Sequence, residues 1–245
     1  MREVMVLEHT AAAGLSAFTE VLEARTTIAP WRRIHVPDGE PLPDDPALIA
    51  GVLVMGGAMS AVDPFAHDWM PAELELLRRA VADDVPVLGV CLGAQLLAAA
   101  LGGEVTARTT PAAGFIALHH TDQVRGDSVL AGWPDGAPAL FIHEDQVATL
   151  PPEATALLTG GDGVPAWRVG DAWAVQFHPE VTPDQLRSWV EDGMLDALLE
   201  RSGVEVDALL AEAERRGRFT VPQGRALVGR FMDGPVRERV AERRP

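Results

Sequence analysis

A single cysteine, Cys91, stands in Val87-Leu88-Gly89-Val90-Cys91-Leu92-Gly93-Ala94-Gln95, and this segment constrains the fold more than any other. An apolar, β-branched run leads into Gly-x-Cys-x-Gly, and a helix-forming run, Leu96 to Leu101, follows. The pattern predicts a strand, a sharp turn and a helix, with the thiol at the apex. A tight elbow of this kind needs glycine on both sides of the nucleophile. The helix N-terminus behind the thiol offers unpaired N–H groups and the positive end of a dipole, which favour a thiolate and an oxyanion. A lone cysteine in a strand–helix turn is ordinarily a core residue; the two flanking glycines favour the chemical reading.

A second block lies downstream, in Trp173-Ala174-Val175-Gln176-Phe177-His178-Pro179-Glu180. Trp173 to Phe177 reads as a buried strand. His178 and Glu180 fall at i and i+2, which puts both side chains on one side of an extended segment. Pro179 keeps His178 out of the helical region. A carboxylate beside an imidazole sets its tautomer and stabilises the imidazolium. Read alone, the block is a polar strand end; read with the cysteine elbow, it predicts a Cys91–His178–Glu180 triad.

Composition narrows the partners and the chemistry. The formal charge of −16 argues against nucleic acid or an anionic membrane as the main partner. One cysteine excludes an intrachain disulfide and suggests a reducing compartment. The N-terminus has no signal-peptide anatomy and no apolar run reaches ~18 residues, so a cytoplasmic location is expected. The basic residues are all arginine. Without lysine there is no Walker-A phosphate loop, no pyridoxal phosphate Schiff base, and no biotin or lipoyl attachment. The histidines show no metal-ligand spacing, and the adjacent pair His119-His120 would point to opposite faces of a strand. Neither cofactor nor metal is expected.

The chain alternates over its first half. Val4 to Glu8, Trp31 to Val36, Ile49 to Met55 and the Val87 run read as strands; Gly14 to Ala24 and Pro71 to Asp83 read as helices. This βαβα order implies an α/β domain with a parallel sheet covered by helices. From Glu104 onward the signal becomes β-rich, with short strands at Phe115 to His119, Ala139 to Ile142, Ala156 to Thr159, Ala166 to Val169 and Trp173 to Phe177. Pro183 opens a helical tail, with helices expected at Asp184 to Leu199, Val206 to Arg215 and Gln223 to Met232, and a fraying end from Arg237 to Pro245. Residues 1–182 are therefore expected as one domain, with 183–245 as a helical extension packed on it. Active sites in such sheets gather at the carboxyl ends of strands. Gly56-Gly57 and Cys91 both follow strand ends, so a glycine loop can present N–H groups to the same oxygen as the N–H of Leu92.

Three blocks together, Met55-Gly56-Gly57-Ala58-Met59-Ser60, Gly89 to Gln95 and Gln176 to Glu180, resemble the signatures of class I, triad-type glutamine amidotransferases. The resemblance runs from about Val4 to Thr182 and is nearest to stand-alone members similar to the glutaminase domain of GMP synthetase. It implies a flavodoxin-like α/β fold, with Cys91 as nucleophile, His178 as general base and then acid, and Glu180 as its orienting carboxylate. It also implies Gly57 and Leu92 as oxyanion donors, Gln95 as a contact to the glutamyl group, and His143 and Asp145 as further substrate-binding residues. The sequence departs from relatives at Ala58, at Pro111-Ala112-Ala113-Gly114-Phe115 and at Pro165-Ala166-Trp167. The last two departures bear on the substrate: they remove polar side chains and leave an apolar wall that could include Phe115 and Trp167.

Several functions fit these residues. One is a glutaminase that passes ammonia to a synthetase partner in trans, since the tail after Thr182 is too short for a synthetase domain of ~150 residues. Another is a free-standing γ-glutamyl hydrolase, peptidase or transferase acting on a small γ-glutamyl metabolite. A catalytically quiet binding protein is disfavoured by the intact Cys–His–Glu set. An α/β-hydrolase is disfavoured because His178 precedes Glu180 by two residues.

Overall fold

The computed structural model describes residues 2–10, 13–161 and 163–242. In chain order its elements are β1 (Glu3–Glu8), α1 (Phe18–Glu23), β2 (Trp31–His35), β3 (Ile49–Val54), α2 (Met70–Ala82), β4 (Val87–Val90) and α3 (Leu92–Ala100). Then come β5 (Glu104–His120), β6 (Ala137–Thr149), β7 (Thr155–Thr159), β8 (Ala166–Val169) and β9 (Ala172–Val175). The chain closes with α4 (Pro183–Glu191), α5 (Asp196–Ser202), α6 (Val206–Phe231), a π-turn over Met232–Val236 and α7 (Arg237–Ala241).

The strands form one sheet in the order β2-β1-β3-β4-β9-β8-β7-β5-β6. The sheet is mixed. From β2 to β9 every neighbour is parallel; from β9 to β6 every neighbour is antiparallel. The parallel strands β3 and β4 are buried along their whole length, as strands covered on both faces must be. One apolar layer joins α1 and α6 to one face through Phe18, Leu22, Leu227 and Phe231. A second joins α2 and α3 to the other through Leu74, Leu77, Leu96 and Leu97. A third layer, with Leu186, Trp189, Leu199 and Leu209, seats the C-terminal helices against Leu140 and Ile142 of β6.

Several elements differ from the sequence expectation. β5 and β6 are far longer than the short strands expected within them, because they pair with each other over most of their length, with a break in register between Ala107 and Ala112. The expected helix from Asp184 to Leu199 is two helices. Gly193, at φ 72°, takes the left-handed conformation after α4, and the Met194 N–H reaches back to the Trp189 carbonyl at 3.0 Å, a Schellman stop. The two helices expected on either side of Pro222 are one, α6, which runs on through a residue that ordinarily breaks helices. The expected fraying end is helical over Arg237–Ala241, with Val236 buried before it; residues 243–245 of that expectation lie outside the described residues.

α6 is glycine-marked where it crosses the segment carrying His178. A β-carbon on Gly224 would lie 1.6 Å from the Pro179 carbonyl oxygen, and one on Gly217 would lie 2.4 Å from the Pro183 ring. Backbone cannot yield as a side chain can, so Gly224→Ala is expected to cost about 2–4 kcal/mol and to lower Tm by several degrees. Gly234→Ala, with open space around it, is expected to be neutral or stabilising by about 0.4–1 kcal/mol. Thermal denaturation of the two variants beside the parent checks this; equal Tm values would mean that α6 does not press on Pro179.

Candidate active site

β3, β4 and β9 are adjacent, so the segments that follow them meet at the carboxyl end of the sheet. They carry Gly56-Gly57, Cys91 and His178. Cys91 itself holds the strain: its φ and ψ are 51° and −105°, a region that L-residues avoid at a cost of about 1–3 kcal/mol. Its N–H donates to the Val175 carbonyl at 2.8 Å, which ties the elbow to β9. The flanking glycines serve a different purpose from the turn that the sequence suggests. Neither has positive φ. A β-carbon on Gly93 would lie 2.1 Å from the Val54 carbonyl oxygen, and one on Gly89 would lie 2.6 Å from the Gly93 carbonyl oxygen. They let α3 lie directly on the strands, which forces Cys91 into its strained position.

His178 stands over this elbow, nearly fully buried. Its Nδ1 is 2.8 Å from Glu180 Oε1, the i, i+2 contact expected from the sequence. Its Nε2 is 3.3 Å from the Ile142 carbonyl oxygen, and the Cys91 thiol is 3.7 Å from that same oxygen. The edge of Trp189 covers the ring at a centroid distance of 5.5 Å. Burial opposes protonation of His178, but the negative charges at Cys91 and Glu180, with their hydrogen bonds, outweigh it and raise its pKa well above the ordinary value. Both ring nitrogens face acceptors, which suits the imidazolium.

Gly56 and Gly57 curl past the same point. A β-carbon on Gly56 would be 3.2 Å from the His178 ring, and one on Gly57 would be 2.8 Å from the Leu92 side chain. Among the described residues, neither the Gly57 nor the Leu92 N–H has a backbone acceptor. Gln95 Nε2 donates to the Asp145 carbonyl at 2.9 Å and lies 3.3 Å from Gln176 Oε1. His143 Nδ1 donates to the Asp145 carbonyl at 2.7 Å. Ser60 Oγ donates to Asp145 Oδ2 at 2.5 Å, which fastens the glycine loop to β6. Burial is the main force on His143 and pushes its pKa down to about 4. These side chains surround a cavity of about 190 Å³ closed on one side by Trp189, Met194 and Leu198. Drug-sized sites run to ~300–1,000 Å³, so the space suits a small metabolite.

The structure therefore brings together Cys91, His178, Glu180, Gly57, Leu92, Gln95, His143 and Asp145. It moves two other residues away. Trp167 is buried in the layer under α3, and Phe115 packs against the C-terminal helices beneath Arg216; neither lines the cavity over Cys91. Three contributors escape sequence reasoning. The Ile142 carbonyl is main chain and carries no residue signal. Trp189 belongs to the tail. His9 and Glu73 form a fully buried pair at 3.0 Å, with His9 Nδ1 bonded to the Met55 carbonyl at 3.1 Å just before the glycine loop. The two lie 64 positions apart, so only folding reveals them.

The family model "Glutamine amidotransferase class-I" matches residues 20–197. The glutamine-hydrolyzing GMP synthase subunit of Sulfurisphaera tokodaii is 37% identical over 100 residues, covering 39% of this chain and 51% of that one. The glutamine-hydrolyzing GMP synthase of Trichormus variabilis is 30% identical over 168 residues, covering 67% of this chain and 27% of that one. The chain thus spans about half the length of the first relative and about a quarter of the second. Among solved structures, a glutamine amido transferase from Methylobacillus flagellatus aligns over 96% of this chain and 95% of its own, at 27% identity and TM-score 0.83. A glutamine amidotransferase from Thermotoga maritima aligns over 95% and 99%, at 23% identity and TM-score 0.82, and shows the fold.

The depressed His143 pKa has a sign. The neutral ring is favoured in the folded state, so its contribution to stability is complete above the unfolded value of 6.5 and is lost as pH falls toward 4. His178, shifted the other way, contributes fully below 6.5 and loses its share as pH rises from there through its raised folded value. Between pH 7 and pH 4.5 the parent is expected to lose about 2–3 kcal/mol more stability than His143→Gln. Urea unfolding at the two pH values reads this, and equal losses would show that His143 is not held neutral.

Proposed function

The chain belongs to the class-I glutamine amidotransferases, and on that premise we propose that it cleaves a γ-glutamyl amide through a γ-glutamyl thioester on Cys91. The observation that carries the reading is the strained Cys91 beneath a buried imidazole that is hydrogen-bonded to Glu180. The Cys91 thiolate attacks the γ-carboxamide carbon, and the new oxyanion accepts the N–H groups of Gly57 and Leu92. The His178 imidazolium gives its Nε2 proton to the departing nitrogen, the C–N bond breaks, and ammonia or an amine leaves. Neutral His178 then takes a proton from water as the water attacks the thioester. Collapse of the second tetrahedral intermediate releases glutamate and restores the thiolate–imidazolium pair. Glu180 holds the ring tautomer and offsets its charge throughout. Gln95, His143 and Asp145 shape the glutamyl pocket.

For free glutamine the amine is ammonia, which a synthetase supplied in trans would consume. In support, the Sulfurisphaera relative is by name one component of a synthase, and this chain spans about a quarter of the Trichormus synthase. Residues 183–245 are read as an extension of the amidotransferase unit that walls its pocket, because Trp189, Met194 and Leu198 stand at the cavity.

The site makes two measurable claims. A diazo-oxo-norleucine probe should label Cys91 alone by mass spectrometry, and Cys91→Ala should lose on the order of 10⁴-fold or more in kcat; an adduct elsewhere, or an active variant, would sink the assignment. Glu180→Gln should lower kcat with KM nearly unchanged, because Glu180 reaches the reaction only through His178. A rise in KM alone would place Glu180 against substrate.

A further inference from the structure

One buried titratable pair takes no part in the chemistry above. His9 follows β1, Glu73 lies in the first turn of α2, and both side chains are wholly buried. His9 Nε2 is 3.0 and 3.1 Å from the two carboxylate oxygens of Glu73. Its Nδ1 donates to the Met55 carbonyl at 3.1 Å. Trp69 covers the ring at a centroid distance of 5.2 Å, and His67 stacks on Trp69 at 5.4 Å. Both ring nitrogens of His9 face acceptors, which suits the imidazolium. Burial opposes that charge most strongly, but the charge and hydrogen bond of Glu73, with the backbone at Gly56 and Met55, prevail and raise the pKa. An ion pair taken out of water does little more than offset its own desolvation, so it adds little net stability. Its effect lies in what it holds in place.

It holds the start of the glycine loop. Met55 is the first residue after β3, and the β1 segment grips its backbone on both sides. The Met55 N–H donates to the Leu7 carbonyl at 3.0 Å, and the Met55 carbonyl accepts from His9. Gly57 lies two residues further on. A β-carbon there would be 2.9 Å from the His9 β-carbon, so Gly57 rests against His9 with no side chain between them. A β-carbon on Gly56 would be 3.2 Å from the His178 ring. The two glycines thus lie against both imidazoles. Glycine backbone turns freely unless its neighbours fix it. A donor for an oxyanion works only when it is aimed before the charge develops. Further along the loop, Ser60 Oγ bonds Asp145 Oδ2, so Gly57 sits between one anchor at Ser60 and another at Met55.

We propose that His9 is a positioning residue for the amide cleavage: braced by Glu73, it fixes the backbone from Met55 to Gly57 so that the Gly57 N–H faces the oxygen that becomes negative. This rests on the thioester chemistry and the oxyanion role of Gly57 proposed above. His9 does not line the cavity over Cys91, and it moves no proton in the reaction. Its contribution is confined to the steps that form a tetrahedral oxyanion, so it acts on kcat and leaves ground-state binding alone. Alkylation of Cys91 by iodoacetamide needs the thiolate but forms no such oxyanion, so it proceeds without help from His9.

The experiment measures kcat and KM with glutamine and with γ-glutamyl hydroxamate, and the rate of Cys91 alkylation by iodoacetamide as a function of pH. It compares the parent with His9→Leu, which removes the donor to Met55, and His9→Asn, whose amide N–H stands close to the place of Nδ1. His9→Leu should lower kcat about 10–100-fold, short of the ~10²–10³-fold that outright loss of an oxyanion donor costs. KM should stay within about threefold, with the alkylation rate and its pH profile unchanged. His9→Asn should recover most of the lost kcat. If His9→Leu folds poorly, His9→Asn decides against the parent: kcat within about fivefold supports the role, and a larger loss overturns it. A parent-like kcat in His9→Leu overturns it, as do equal losses in the two variants. So does a fall in alkylation alongside kcat, because the pair would then support the surroundings of the thiol at large. Each of these failures leaves the thioester chemistry standing. A parent that turns over neither substrate overturns that chemistry, and the positioning role with it.

Discussion

The site depends on how closely α3 can approach the parallel strands. A β-carbon at Gly93 would lie 2.1 Å from the Val54 carbonyl oxygen, and one at Gly89 would lie 2.6 Å from the Gly93 carbonyl oxygen. With hydrogen in both places, the helix starts directly on the sheet, and Cys91 must turn at φ 51° to enter it. The strain is modest against the burial of Leu92, Leu96 and Leu97 behind it. Its result is geometric: Cys91 stands at the end of β4 and at the N-terminus of α3. Larger residues at either glycine would lift the helix and remove the elbow, the donors and the thiol together.

Charge at this point is handled by paired, buried groups. His178 sits between Glu180 and the thiol and is held protonated by them against the cost of burial. His9 repeats the arrangement, facing Glu73 with one nitrogen and the Met55 carbonyl with the other. Burial is the largest influence and lowers the His9 pKa, but the charge and hydrogen bond of Glu73 together with the backbone at Gly56 and Met55 outweigh it, so the net shift is upward. That pair lies where the glycine loop leaves β3: a β-carbon on Gly57 would come within 2.9 Å of His9. Ser60 fastens the far end of the loop to Asp145. The loop that carries the Gly57 N–H is thus pinned at both ends.

The C-terminal helices belong to this arrangement structurally. α6 presses Gly224 against the Pro179 carbonyl, between the imidazole and its carboxylate, and the Ala17 N–H reaches the Glu180 carbonyl at 3.0 Å. α4 lays Trp189 over the imidazole. The stop at Gly193 turns the chain so that Met194 and Leu198 close the cavity. A tail expected as a helical extension therefore supplies one wall of the pocket and the backing of the His178 imidazole.

Much of this was legible along the chain. Local apolar runs and glycine spacing mark β1, β3, β4, α2 and α3, because those elements are defined by contacts between near neighbours and by burial on both faces. His178 and Glu180 announce their contact because two residues of extended chain always place such side chains together. Other features arise between segments distant in sequence. The length of β5 and β6 comes from their mutual pairing, the continuity of α6 through Pro222 from what it rests on, and the His9–Glu73 pair from two elements 64 residues apart. Ala112 and Pro165 are distant in sequence, and only folding puts both on one cavity with Gln176 and sends Phe115 and Trp167 elsewhere. By itself the sequence determined the Cys91 elbow, the His178–Glu180 contact and the alternation of the parallel half, since each follows from steric rules within a few residues. The tertiary structure alone decided which carbonyl the thiol and imidazole share and what closes the pocket, because those depend on long-range packing that no local pattern encodes.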